Sequence, residues 1–103
     1  MFRLTEAAAD QVRKAAAQSG AEGMALRLAA RRLPDGTFEY KMGFDEKKED
    51  DIDIQSEGVT IVMLPEYVPL LDETVMDFVQ LDEGDRQFVF QNPKDANYRP
   101  PSA

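Results

Sequence analysis

Oxygen is the only plentiful ligand atom in this chain. Twenty aspartate and glutamate side chains stand against twelve lysines and arginines, and cysteine and histidine are both absent. Disulfides, thiol nucleophiles, zinc–cysteine sites and iron–sulfur clusters held by the chain's own thiolates are therefore excluded. Without imidazole there is no Ser-His-Asp triad and no ready general base near neutral pH. Carboxylates remain, and Asp50-Asp51 and Asp72-Glu73 are the obvious pairs. Twenty acids on a small surface produce such pairs by chance, and both fall in predicted turns rather than a cleft. A calcium loop begun at Asp51 would use Asp53 and Gln55, but its sixth position holds Ser56 instead of glycine and its twelfth Val62 instead of glutamate. Glycine-rich phosphate loops of either common spacing are absent. No nucleophile is paired with a base, so a carboxylate-only enzyme has no support.

One further carboxylate, Asp35, sits where a scaffold would display it. Met24, Leu26, Leu28 and Ala30 alternate with Arg27, Ala29 and Arg31; after Leu33-Pro34-Asp35-Gly36, Phe38, Tyr40, Met42 and Phe44 alternate with Glu39 and Lys41. Period-two alternation on both sides of a Pro-Asp-Gly turn predicts an antiparallel hairpin with one buried face. Proline presets φ at the second turn position, aspartate suits the third and glycine closes the turn. The tip offers one carboxylate and no other reactive group.

The elements around this hairpin follow from the same reading. Met1 to Leu4 suits a short strand. Thr5 is a hydroxyl N-cap for an Ala-rich helix from Glu6 to Gln18, stopped by Ser19-Gly20, with Ala8, Val12, Ala15 and Ala16 as its inner face. Core packing, rather than partner binding, is the expectation for that stripe. The mixed charges of Asp45 to Asp51 predict a solvated connection. Ile52 and Ile54 mark a half-exposed strand, and Val59 to Leu64 a central one ended by Pro65. Pro65 to Leu71 reads as a short helical turn in which Tyr67, Val68, Leu70 and Leu71 cap the core. Thr74 to Leu81 and the run around Phe88, Val89 and Phe90 are the last strands. The expected architecture is α+β: one N-terminal helix and a short helical turn packed on compact mixed sheet. Residues 1–93 form the expected domain, and residues 94–103, with two more prolines, the expected flexible tail.

A chain of 103 residues with 43% hydrophobic and 31% charged residues is one folded domain able to build a core without staples. Its net charge of −8 removes the electrostatic footprint of a nucleic-acid binder and disfavours anionic membrane surfaces. Glu6, Asp10, Arg13 and Lys14 interrupt any secretory apolar core, and no stretch approaches a membrane span, so the cytoplasm is the expected location.

The ordered set of short motifs resembles the HesB/IscA family of A-type iron–sulfur cluster carriers, nearly end to end. Leu4-Thr5-Glu6-Ala7-Ala8 with Gln11-Val12 is similar to the family's opening strand and helix. Leu26-Arg27-Leu28 and Tyr40 with Gly43-Phe44-Asp45-Glu46 are similar to its hairpin, and Gly58-Val59 with Ile61-Val62 to its central strand. Pro69, Leu71-Asp72, Thr74 and Asp77-Phe78-Val79, then Phe88, Phe90 and Asn92-Pro93, are similar to its C-terminal half. The resemblance implies a HesB-like mixed β-sheet or sandwich fold, dimer or tetramer assembly, and cluster or iron transfer to client proteins. In the family three cysteines carry that chemistry: one in a glycine-rich loop between the hairpin strands and two in a C-terminal Cys-Gly-Cys. The matching positions here are Asp35, Arg99 and Pro101, and the glycines before the first become Arg32, Leu33 and Pro34. The expectation is therefore a family fold with no catalytic residue, no bound cofactor and no metal, working through a protein partner: a homo-oligomer or a cysteine-bearing paralogue. The competing expectation is a metal site of oxygen ligands built on Asp35 and nearby carboxylates.

Overall fold

The computed structural model describes residues 1–82 and 84–98. Its first strand, β1 (Arg3–Leu4), leads directly into α1 (Glu6–Ser19). Thr5 caps the helix, its Oγ1 accepting the Ala8 N–H at 3.1 Å, and Gly20 ends it in the left-handed region at φ 71°. The same hydroxyl donates to Asp77 Oδ1 at 2.6 Å, so the cap also fixes the helix to a distant strand.

β2 (Ala25–Arg32) and β3 (Phe38–Asp45) pair antiparallel over their whole length, from Ala25 opposite Asp45 to Arg32 opposite Phe38. A second hairpin joins β4 (Ile52–Ser56) to β5 (Val59–Met63) through Glu57 and Gly58, at φ 49° and 79°. Two consecutive positive φ values are the signature of the two-residue turn whose twist suits paired strands. Arg13 of α1 secures this turn, Nη1 donating to the Glu57 carbonyl at 2.7 Å. β5 runs parallel to β2, with Leu26 opposite Ile61, which gives a four-stranded sheet of order β3-β2-β5-β4. A 3-10 turn (Pro65–Tyr67) continues into α2 (Val68–Leu71). β6 (Val75–Asp82) and β7 (Asp85–Gln91) then pair antiparallel, and β1 joins β6 in parallel to complete a three-stranded sheet.

Leu4, Leu28, Ile61, Leu71 and Met76, from both sheets and α2, form the most deeply buried part of the shared core. In β2 Leu26, Leu28 and Ala30 are buried while Arg31 is exposed, as expected, but Met24 and Met42, expected on the same buried face, are 46% and 43% exposed. Tyr40 of β3 stacks on Phe90 of β7 with ring centroids 4.3 Å apart, which joins the two sheets beside the hairpin. The architecture is the α+β arrangement the pattern predicts.

Three local expectations are corrected. On α1 the buried residues are Ala8, Ala9 and Val12, while Ala15 and Ala16 are only partly covered. In the run from Asp45 to Asp51, Asp51 is buried rather than solvated, since an arginine from β2 reaches it. Of the expected tail 94–103, the part from Lys94 to Tyr98 is fastened to the hairpin by Asp95, only 7% exposed, and residues 99–103 lie outside the described residues. No helix among the described residues is long and apolar enough to cross a membrane.

Candidate functional site

The hairpin tip is closed by its own backbone. The Gly36 N–H donates to the Leu33 carbonyl at 2.9 Å and the Leu33 N–H to the Thr37 carbonyl at 2.8 Å. Gly36 lies at φ 89°, so the turn ends in a left-handed residue of the kind that forms a one-residue bulge. The Asp35 side chain does not project freely. Its Oδ1 accepts the Thr37 hydroxyl at 2.6 Å and the Thr37 N–H at 3.0 Å. The Thr37 hydroxyl, followed by the backbone amide, holds the Asp35 carboxyl below its ordinary range. Asp35 therefore shapes the turn through local side chain–backbone bonding, as aspartate commonly does.

The C-terminal segment docks on this tip. Asn92, fully buried, donates from Nδ2 to the Leu70 carbonyl at 2.8 Å and accepts the Lys94 N–H at 3.0 Å. Asp95 then receives three donors: the Phe38 N–H at 3.2 Å and the Asn97 N–H at 2.9 Å on Oδ1, and the Tyr40 hydroxyl at 2.8 Å on Oδ2. Burial, reinforced by the Asp95 bond, pushes the Tyr40 phenol well above its usual range. The Ala96 N–H donates to the Gly36 carbonyl at 3.0 Å. A Cβ built on Gly36 would lie 3.5 Å from the Ala96 Cβ, an ordinary contact, so it is the positive φ that selects glycine there.

The structure thus brings together two of the regions singled out by the resemblance, the turn bearing Asp35 and the segment that follows Asn92-Pro93. Arg99 and Pro101 lie outside the described residues. The join is made of backbone bonds and one buried aspartate, with no soft ligand in it. The whole sequence has neither cysteine nor histidine, and no group of three or more Asp or Glu among the described residues could hold a metal ion. Asp35 offers one carboxylate with one oxygen already engaged. This donor set does not fit an iron–sulfur cluster, which is held by thiolates and occasionally imidazoles. Neither does it fit a calcium-type site, which takes six or more oxygens.

The opposite end of the hairpin is fastened by charge. Arg27 donates from Nε to Asp45 Oδ2 at 2.7 Å, from Nη1 to Asp51 Oδ1 at 2.8 Å and from Nη2 to the Glu46 carbonyl at 3.1 Å, and Nη2 also bonds Asp51 Oδ2. The Asp51 side chain is wholly buried beneath this arginine and accepts the Lys48 N–H at 2.7 Å as well. Arg27 and then the Lys48 amide lower the Asp51 carboxyl to about 2. Lys48, the Glu46 amide and Arg27 lower Asp45 to about 2. This forked pair closes the loop before β4, and each carboxylate oxygen of Asp45 and Asp51 accepts at least one hydrogen bond.

Sequence reasoning missed the fastening roles of Asp95 and Asp51. The signal for Asp95 was available in Asn92-Pro93-Lys94-Asp95, where two residues able to bond the amide two positions on sit three apart. Asp51 carried no signal, being one of five acids between Asp45 and Asp51.

Comparison with known proteins agrees with this framework. The family model for iron–sulphur cluster biosynthesis matches residues 1–97. A protein from Aquifex aeolicus (strain VF5) is 31% identical over 96 residues, covering 90% of this chain and 80% of the relative. The iron–sulfur cluster insertion protein ErpA of Stenotrophomonas maltophilia (strain K279a) is 33% identical over 93 residues, covering 89% and 71%. Among solved structures, IscA with the [2Fe-2S] cluster superimposes with a TM-score of 0.77 at 27% identity, covering 90% of this chain and 86% of that one. Escherichia coli SufA, involved in biosynthesis of iron–sulfur clusters, gives 0.71 at 28% identity with the same coverage. With the match running almost the full length in sequence and in fold, the chain belongs to the iron–sulphur cluster biosynthesis family.

Proposed function

We propose that this protein is a non-ligating, non-catalytic member of its family, which serves cluster assembly through protein contacts instead of holding a cluster. One observation carries the reading: at the join of hairpin tip and C-terminal segment, Asp35 is spent on Thr37 and Asp95 on Phe38, Tyr40 and Asn97. The framework is kept and its polar groups hold the framework itself. A cysteine-bearing relative or a client is the partner this implies, since assembly surfaces are separable from thiol ligands. The oxygen-ligand metal reading finds no group of three or more acidic side chains around Asp35 among the described residues.

Anaerobic purification with visible spectroscopy and iron and sulfide analysis tests the first half. The expected preparation is colourless with iron far below one equivalent; a brown protein with stoichiometric iron overturns it. Calorimetric titration with ferrous and ferric iron should give the same heats for the native protein and Asp35→Ala, and a signal lost only in the variant would restore the oxygen-ligand reading. Co-expression with a cysteine-bearing relative tests the second half: the two chains should co-purify, and a self-contained monomer in its presence counts against the role.

A further inference from the structure

Among the described residues, β5 is the only strand paired with β4 in the order β3-β2-β5-β4, so the outer side of β4 is a sheet edge. In a two-residue hairpin the residues flanking the turn exchange both hydrogen bonds, so Ser56 bonds Val59. Strict alternation then assigns the bonds with β5 to Ile54 and Ile52 and turns the backbone N–H and C=O groups of Asp53 and Gln55 outward.

Beside that edge lies an apolar notch. Of the five exposed large hydrophobic side chains among the described residues, Met1, Ile52 and Val68 gather here, 77%, 42% and 37% exposed. They rim a cavity of about 290 Å³ floored by Phe2, Met63 and Leu71. Ile52 and Ile54 stand opposite Met63 and Ile61, so they share the core face, and the notch is where that face is left uncovered beyond β4. A strand added next to β4 would set every second side chain into it.

The other face of the edge is acidic. Asp53 is opposite Val62, on the face away from the core, and the preceding Glu49 and Asp50 are exposed. Lys47 meets Asp53 at 3.1 Å, but both side chains are about half in water, and such a pair is readily exchanged. These charges decide the occupant. A second copy pairing through β4 would bring acid against acid, with −8 on each chain. Short length and an edge charge are the usual devices against self-pairing, and β4 has both.

We propose that β4 and its notch receive, by strand addition, an extended segment of a partner protein that alternates apolar and basic residues. The apolar residues enter the notch, the basic ones face Asp53 and its acidic neighbours, and the main chain bonds to Asp53 and Gln55. This surface is independent of whether the protein ligates a cluster, so its test can fail while the reading above stands.

The test uses isotope-labelled full chain and a capped decapeptide alternating valine and arginine, followed by amide and methyl NMR at low salt. Saturable shifts confined to Ile52–Ser56 and to the Ile52, Ile54 and Val68 methyls are expected. Ile52→Thr, whose spectrum should otherwise stay native because the side chain is half exposed, should weaken binding about fivefold. A valine–glutamate peptide, and a valine–arginine peptide N-methylated along one edge, should both fail to bind. Shifts mapping instead to β3, equal binding by either control peptide, an unchanged affinity for Ile52→Thr, or peptide-free self-association through β4 would each overturn the proposal.

Discussion

The two ends of the β2–β3 hairpin are fastened by opposite electrostatic means. At the base, ionised Asp45 and Asp51 hold Arg27, and their carboxyls sit at about 2. At the tip, the buried Asp95 collects backbone amides and a neutral phenol, Tyr40, whose ionisation is pushed up. The base therefore loosens in acid and the tip in alkali. The difference is one of chemistry: charged partners close the base, whereas backbone amides and a neutral hydroxyl close the tip.

Removing the base clamp should cost most. Arg27→Ala leaves the wholly buried Asp51 carboxylate with only the Lys48 amide, and an uncompensated buried charge is among the costliest single losses. Urea denaturation at pH 7 should show a loss of about 2–3 kcal/mol, discounted for the quarter of the arginine that water reaches. Asp95→Ala should follow at about 2 kcal/mol, because the Phe38 amide and Tyr40 hydroxyl lose their acceptor. Arg27 and Phe38 lie at opposite ends of eight-residue strands, roughly 15 Å apart at the rise of a strand. The double variant should then lose the sum to within about 0.5 kcal/mol. Coupling well beyond that would mean the two ends are one cooperative device.

Acid sharpens the comparison further. The folded carboxyls of Asp45 and Asp51 lie below their ordinary 3.8, so the stability they contribute is complete above about pH 5 and is lost as pH falls through 3.8 towards 2. The native protein should lose its urea midpoint steeply in that window, and Arg27→Ala much less, since the variant has already lost the partner that lowers Asp51 most. Parallel curves for the two proteins would remove Arg27 as the source.

How much of this was legible depends on how locally each residue acts. The hairpin could be read because Leu26, Leu28 and Ala30 repeat at the strand period and Pro34-Asp35-Gly36 dictates a turn by its own dihedral preferences. Thr5 and Gly20 marked both ends of α1 for the same reason. The fastenings could not be read, because Asp51 meets Arg27 across 24 residues and Asp95 meets Tyr40 across 55. Local pattern carries no information about such partners. The candidate site was legible only as an absence: Asp35 was found at the tip, but that its carboxylate serves Thr37 depends on the geometry of the closed turn.

Tyr40→Phe is the smallest change that separates the two ends. The hydroxyl contributes one bond to Asp95, while the ring keeps its stack on Phe90, so the loss at pH 7 should be about 1 kcal/mol. The sign with pH is the reverse of the base. A phenol whose folded pKa is raised above its ordinary 10.0 contributes stability that is complete below pH 10 and is lost as pH rises through the folded value. Phenylalanine does not titrate, so the advantage of the native protein over Tyr40→Phe should shrink above pH 10 and stay constant between pH 6 and 9. Urea midpoints for both proteins at pH 7 and above pH 10 measure it. No gap at pH 7 would mean that the tip is held by the ring stack and the Phe38 amide alone, with the Tyr40 hydroxyl adding nothing to the lock, and a gap that persists undiminished in alkali would mean that what the hydroxyl adds does not depend on its proton.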